Sequence, residues 1–200
     1  EGWYYVGLGA GFIKANGMEK MRTGFKRDPN DLGRVINEVQ EQWVLDGEGV
    51  ATRKWDGTAC MVLDGELYKR YDCKRGKNPP EGAIPCQEPD PYGHWPHWVK
   101  CDRDNPADKY IWEAYDWAAA CFGDVPDGTY EACGPKINGN KQDFSTHLLV
   151  KHYDPDTFGF DLTFESIRDF LADFDGEGIV FHHPDGRMAK IRRSDFGFKW

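Results

Sequence analysis

Short apolar runs separated by Asp-Gly and Pro-Asp-Gly turns predict a chain built mainly of β-strands. Gly49-Val50-Ala51-Thr52-Arg53 and Thr58 to Leu63 read as strands flanking Lys54-Trp55-Asp56-Gly57, with a tight turn at Asp56-Gly57. Asp64-Gly65 lies between Met61-Val62-Leu63 and Glu66-Leu67-Tyr68, a two-residue hairpin signal. Thr129 to Cys133 and His147 to Val150 read as further strands, with a polar loop from Gly134 to Ser145 between them. Gly178 to His182 and Arg187 to Arg192 form a last hairpin around Pro184-Asp185-Gly186. Two stretches change period. Asn105 caps a helix that Pro106 opens and Gly123 ends, with Tyr110, Ala114, Trp117, Ala118 and Cys121 on one face. Thr163 caps another, which buries Ile167, Phe170, Leu171 and Phe174. Asn78 to Pro106, rich in Pro, Asp and Trp, reads as a long ordered loop. The sum is an α+β domain of mainly antiparallel sheet with two flanking helices and no internal repeat.

Composition narrows the class. The 200 residues are 40% hydrophobic and 14% aromatic, enough for one domain with a core. No apolar run approaches a membrane span and no signal peptide opens the chain, so no membrane partner is expected. The six cysteines contain no CxxC pair and read as reduced thiols of an intracellular, cytoplasmic protein. The Gly-rich, aromatic residues 1–17 precede Met18 and read as a tag or flexible extension, leaving 18–200 as the domain. A net charge of −9 argues against tight nonspecific nucleic-acid binding. Two basic clusters interrupt it: Lys69, Arg70, Lys74, Arg75 and Lys77, then Lys190, Arg192, Arg193 and Lys199. Either can hold phosphates locally or form a solvated face.

A lysine fixed at a strand end suits a nucleophile attacking a nucleotide phosphate, and Lys54 is placed so. Arg53 and a bound metal would favour its neutral amine by like-charge repulsion. Glu131 within a strand and Glu177 at a strand start stand beside buried apolar runs. Lys190 lies inside Met188-Ala189-Lys190-Ile191-Arg192, where a charge is costly unless it points into a site.

The order of these residues resembles the covalent nucleotidyltransferase superfamily of polynucleotide ligases and capping enzymes. Lys54-Trp55-Asp56-Gly57 is similar to its first motif, and Arg70 in Leu67 to Asp72 to the next. Tyr130-Glu131 with Gly134, Glu177-Gly178-Ile179-Val180 and Ala189-Lys190-Ile191-Arg192 are similar to the later ones. The chain more closely resembles the ATP-dependent 5′-to-3′ RNA ligase family, with vertebrate, phage and bacterial members. That resemblance runs over roughly residues 18–200 through Lys54 to Thr58, Ile137-Asn138-Gly139-Asn140, His147-Leu148-Leu149, and Glu177 to His182 on to Trp200.

The resemblance implies an ATP-grasp-like adenylation fold and a three-step joining of RNA 5′-phosphate and 3′-hydroxyl ends by a monomer. Lys54 would take AMP from ATP, Asp56 would orient it, and Lys190 would hold the α-phosphate, with Arg192 beside it. Arg53 and Arg70 would contact the nucleotide, Glu131 the ribose hydroxyls, and Glu177 a Mg²⁺ ion, with Mn²⁺ as the alternative. An aromatic residue between Tyr153 and Phe160 would stack on adenine. The chain ends at Trp200 with no oligonucleotide-binding domain after the last motif, which implies a minimal ligase or a trimmed C-terminus and disfavours capping by GTP.

Three alternatives stand beside this reading. A DNA ligase or other protein-AMP nucleotidyltransferase would share the motifs. A non-catalytic nucleotide- or RNA-binding module would need a broken motif, and none is broken. Cys86, His94, His97 and Cys101 are potential zinc ligands at a non-standard spacing, for which free cysteines and surface histidines are the simpler account.

Overall fold

A computed structural model describes residues 3–5, 12–14, 19–153 and 156–200. The extension expected over 1–17 lies outside the described residues except for Trp3–Tyr5 and Phe12–Lys14, whose backbones pair antiparallel. The chain divides into two compact units: a first, Met21–Trp55 with Tyr153–Trp200, and a second, Glu1–Lys20 with Asp56–His152. The α+β class and the predominance of antiparallel pairing are as the apolar pattern implies.

The unit carrying Lys54 is built on a five-stranded sheet. Its strand order is Thr157–Phe158, Val50–Lys54, Gly178–His182, Met188–Arg192, Arg22–Thr23, with only the last pair parallel. One face is apolar. Ala51, Ile179, Phe181, Ala189 and Ile191 pack there with Ile167 and Leu171 of the Phe164–Ala172 helix. That helix starts where Thr163 Oγ1 accepts the Ser166 N–H at 3.1 Å. Arg193 closes its other end by donating to the carbonyls of Ala172 and Phe174, both at 2.9 Å. Arg193 of the second basic cluster is thus a structural cap.

The other unit centres on a six-stranded sheet in the order Leu148–Lys151, Gly128–Cys133, Thr58–Leu63, Glu66–Lys74, His94–Lys100, Ile84–Pro85. Asp64 and Gly65 both take positive φ, 51° and 76°, so the Asp-Gly signal becomes a tight hairpin between the third and fourth of these strands. Cys60, Val62, Leu67, Tyr130 and Ala132 face Ile111 and Ala114 of the Lys109–Phe122 helix. Asn105 Oδ1 accepts the Ala107 N–H at 3.0 Å, and Gly123 ends the helix at φ 82°.

Four expectations change. Residues 78–106 are not one loop: His94–Lys100 pairs along its whole length with Glu66–Lys74. Proline at position 96 hid this strand, because a proline usually speaks against a sheet interior. The helix face also rotates. Ile111 and Ala114 are buried, whereas Trp117 and Cys121 are exposed. Asp56-Gly57, read as a tight turn, is only a bend at Gly57 in a link between strands that enter different sheets. Finally, Phe25–Asp28 and Asp31–Val39 form a two-stranded ribbon that the pattern does not announce. Among the described residues no helix is long and apolar enough to cross a membrane.

Candidate active site

Strand alternation places the three key cations of the first unit. Lys54 stands opposite Gly178, and Gly178 opposite Arg192. Thr52 stands opposite Val180, and Val180 opposite Lys190. Directly opposed residues share a face, as do residues two apart, so Lys54, Lys190 and Arg192 all project from the side away from the apolar core. His182 lies on the same face and its Nε2 meets Thr52 Oγ1 at 2.9 Å. Gly178 in the middle keeps the ladder tight: a Cβ there would stand 2.4 Å from the Ile191 carbonyl oxygen.

Lys54 Nζ donates to Glu177 Oε2 at 3.0 Å, and both side chains are only about one-fifth exposed. Glu177 occupies the residue just before the strand that faces Lys54, which explains its reach. Arg53 goes the other way. Its guanidinium lies 4.7 Å from the Phe174 ring centroid, donates to the Asp175 carbonyl, and leaves no room for a side chain at Gly176. It therefore shapes the loop leading to Glu177 instead of joining Lys54. Arg192 pairs with the buried Asp195 at 3.1 Å, and Arg27 with the same carboxylate at 2.8 Å.

In the second unit a row crosses four strands: Glu131 opposite Ala59, Ala59 alongside Arg70, Arg70 opposite Trp98. All four share one face, and alanine at position 59 leaves the ground between Glu131 and Arg70 low. Arg70 lies 5.0 Å from the Trp98 ring centroid. Burial pushes its guanidinium below its ordinary pKa, opposed by the nearby Cys86, Glu131 and Asp72. Arg70 Nη1 and Trp98 Nε1 are buried donors with no hydrogen-bond partner among the described residues. Buried donors of this kind normally find partners, and a polar ligand would supply them. Glu131 Oε2 meets His152 Nε2 at 2.6 Å. His152 gave no signal in the sequence, because the pairing depends on strand register.

The remaining candidates separate. Asp56 has its backbone N–H on Gln142 Oε1 at 3.1 Å and its carbonyl on Gln142 Nε2 at 2.9 Å. Lys69 of the first basic cluster is bound to the buried Asp108, on the sheet face opposite Arg70. Phe158 and Phe160 pack against the first unit's core, and Tyr153 stands edge-on to His182 at 5.1 Å. The four potential zinc ligands are not surface groups as a set: His97, Cys86 and Cys101 are buried. His94 Nδ1 meets Asp72 at 3.0 Å and His97 Nδ1 meets the Trp95 carbonyl at 2.7 Å. Among the described residues no three His, Cys, Asp or Glu side chains gather as a metal site. A lone carboxylate such as Glu177 still fits Mg²⁺, which keeps several waters and binds through one or two carboxylates plus substrate phosphates.

No protein-family profile matches the chain. Curated relatives do. It is 28% identical to RNA ligase 1 of Pongo abelii, across 90% of this chain and 78% of that protein. It is 24% identical to RNA ligase 1 of Rattus norvegicus, with the same two shares covered. For RNA ligase 1 of Danio rerio the identity is 27% across 56% of this chain and 43% of that protein. With the ordered motifs carried on the ladder positions described above, the chain is similar to RNA ligase 1 of these vertebrates, over nine-tenths of its length for the first two.

Proposed function

We propose that the chain is an ATP-dependent RNA ligase that joins 5′-phosphate and 3′-hydroxyl RNA ends through AMP carried on Lys54. The observation that carries this reading is the common face of Lys54, Lys190 and Arg192, with Glu177 on the lysine. Lys54 Nζ attacks the α-phosphorus of ATP. A P–N bond forms, the bond to the β-phosphate oxygen breaks, pyrophosphate leaves with the electron pair, and the amine loses a proton to solvent. Lys190, two residues from Arg192 on the same strand, stabilises the charge that develops on the α-phosphate oxygens. Arg70 and Glu131 bind the nucleotide's phosphate edge and ribose hydroxyls, and His152 keeps the Glu131 carboxylate aimed.

An RNA 5′-phosphate oxygen then attacks the same phosphorus. The P–N bond breaks, Lys54 regains a proton, and a 5′–5′ anhydride caps the RNA. Attack by the 3′-hydroxyl on the RNA phosphorus forms the phosphodiester and expels AMP. A divalent cation held by Glu177 would supply charge neutralisation at the phosphates.

The test is sealing. With ATP and Mg²⁺, a labelled 5′-phosphate RNA should become longer and its label should resist phosphatase. Absence of a joined product from single-stranded, nicked and broken-hairpin RNA alike would sink the assignment.

A further inference from the structure

The peptide that follows Lys54-Trp55 is gripped by two side chains whose task the motifs leave unassigned. Gln142 binds Asp56 from both sides, accepting its N–H at 3.1 Å and donating to its carbonyl at 2.9 Å. Asn138 Nδ2 donates to the Gly57 carbonyl at 2.6 Å and approaches Asp56 Oδ1 at 3.4 Å. Gly57 is pressed against the neighbouring strand, so that a Cβ would stand 2.1 Å from the Ala132 carbonyl oxygen. The loop that delivers the two amides is itself costly. Asn138, Asn140 and Asp143 all hold positive φ, at 47°, 49° and 56°. Asn140 offsets this by binding the Phe144 N–H and carbonyl at 3.0 and 2.9 Å. Three non-glycine residues in the left-handed region within six positions are seldom kept without a use, since each costs free energy that the surroundings must offset.

We infer that Gln142 and Asn138 are positioning residues for adenylation, holding the Asp56-Gly57 backbone so that Lys54, two residues earlier, is presented to the α-phosphorus. This rests on the ligase reading above. A primary amide suits the task because it offers one acceptor and one donor to the N–H and C=O of a single residue, Asp56. A carboxylate has the same shape but no donor, and it would oppose the Asp56 carbonyl.

Four chains are compared: native, Gln142→Ala, Gln142→Glu and Asn138→Ala. Each is tested for thermal melting, amide hydrogen exchange of the 54–58 segment, ATP affinity and the single-turnover rate of label transfer from α-labelled ATP. The expected result is a rate at least tenfold lower in both Gln142 variants, ATP affinity within about threefold of native, and faster exchange at Asp56. The Gln142→Glu chain carries a further signature. Once protonated, its side chain regains a donor, so its rate relative to the native chain should rise as pH falls from 8 towards 5.5, while that of Gln142→Ala stays flat.

Native-like rates in all variants would overturn the inference while leaving the ligase reading intact. So would a rate loss matched by an equal loss of melting temperature and no recovery of Gln142→Glu in acid. No label on the native chain would overturn the ligase reading itself, and the inference with it.

Discussion

Lys54 and Glu177 meet at 3.0 Å because Gly178, directly opposite the lysine, brings the preceding glutamate to the strand end. The pairing is partly buried, so the carboxylate screens a cation that would otherwise stand beside Lys190 and Arg192 on the same face. Glu177→Gln keeps the shape and a hydrogen-bond acceptor but removes the charge. The fold should lose no more than about 1 kcal/mol, as partly exposed pairs do. Label transfer should fall by about two orders of magnitude. Melting curves and single-turnover labelling separate the two effects.

Arg70 is held at a cost. Its Nη1 is buried without a hydrogen-bond partner among the described residues, and burial already pushes its guanidinium down from its ordinary value. Arg70→Met replaces it with an apolar side chain of similar reach beside Trp98. The melting temperature should stay level or rise, while ATP affinity falls roughly ten- to a hundredfold, the loss of one charge-assisted contact. Calorimetric titration with ATP reads the second effect.

His152 supports Glu131, its Nε2 meeting the carboxylate at 2.6 Å. His152→Phe fills the space but frees the carboxylate. ATP should bind about tenfold more weakly, whereas a 2′,3′-dideoxy analogue, which offers no ribose hydroxyls, should bind the variant and the native chain alike. Equal weakening for both nucleotides would mean that His152 acts elsewhere.

Asp72 gives an acid-sensitive brace. Burial pushes its carboxyl up, but hydrogen bonds from His94, the Trp95 N–H and Lys74 outweigh this and hold it below the usual carboxylate range. A carboxyl depressed in the folded state stabilises above its unfolded value, about 3.9, and that stability is lost as pH falls through the lower folded value. Asp72→Asn should therefore melt below the native chain at pH 7, with the gap closing below about pH 4. The measurement is the difference in melting temperature across that range.

How much of this the residues disclose depends on whether the signal is local. The Asp64-Gly65 hairpin, the Asn105 and Thr163 caps and the Lys54 strand end each follow from neighbours in the chain. The shared face of Lys54, Lys190 and Arg192 follows from alternation once the ladder register is known. The ribbon at 25–39 does not, because along Asp31–Val39 Val35 is the one buried residue and a two-stranded surface ribbon needs no period of two. Gln142 and His152 stay hidden for another reason. Each acts through a partner far along the chain, 86 and 21 residues away, that only folding brings near. Arg53 misleads because it neighbours Lys54 in sequence, whereas a strand sends adjacent side chains to opposite faces.

The most direct test of the account is to incubate the chain with α-labelled ATP and Mg²⁺, digest it, and locate the modified peptide by mass spectrometry. The account predicts one added AMP on the peptide containing Lys54, released by acid as expected of a P–N bond and absent from Lys54→Ala and Lys54→Arg. AMP on any other residue, or label that persists in both variants, would contradict it.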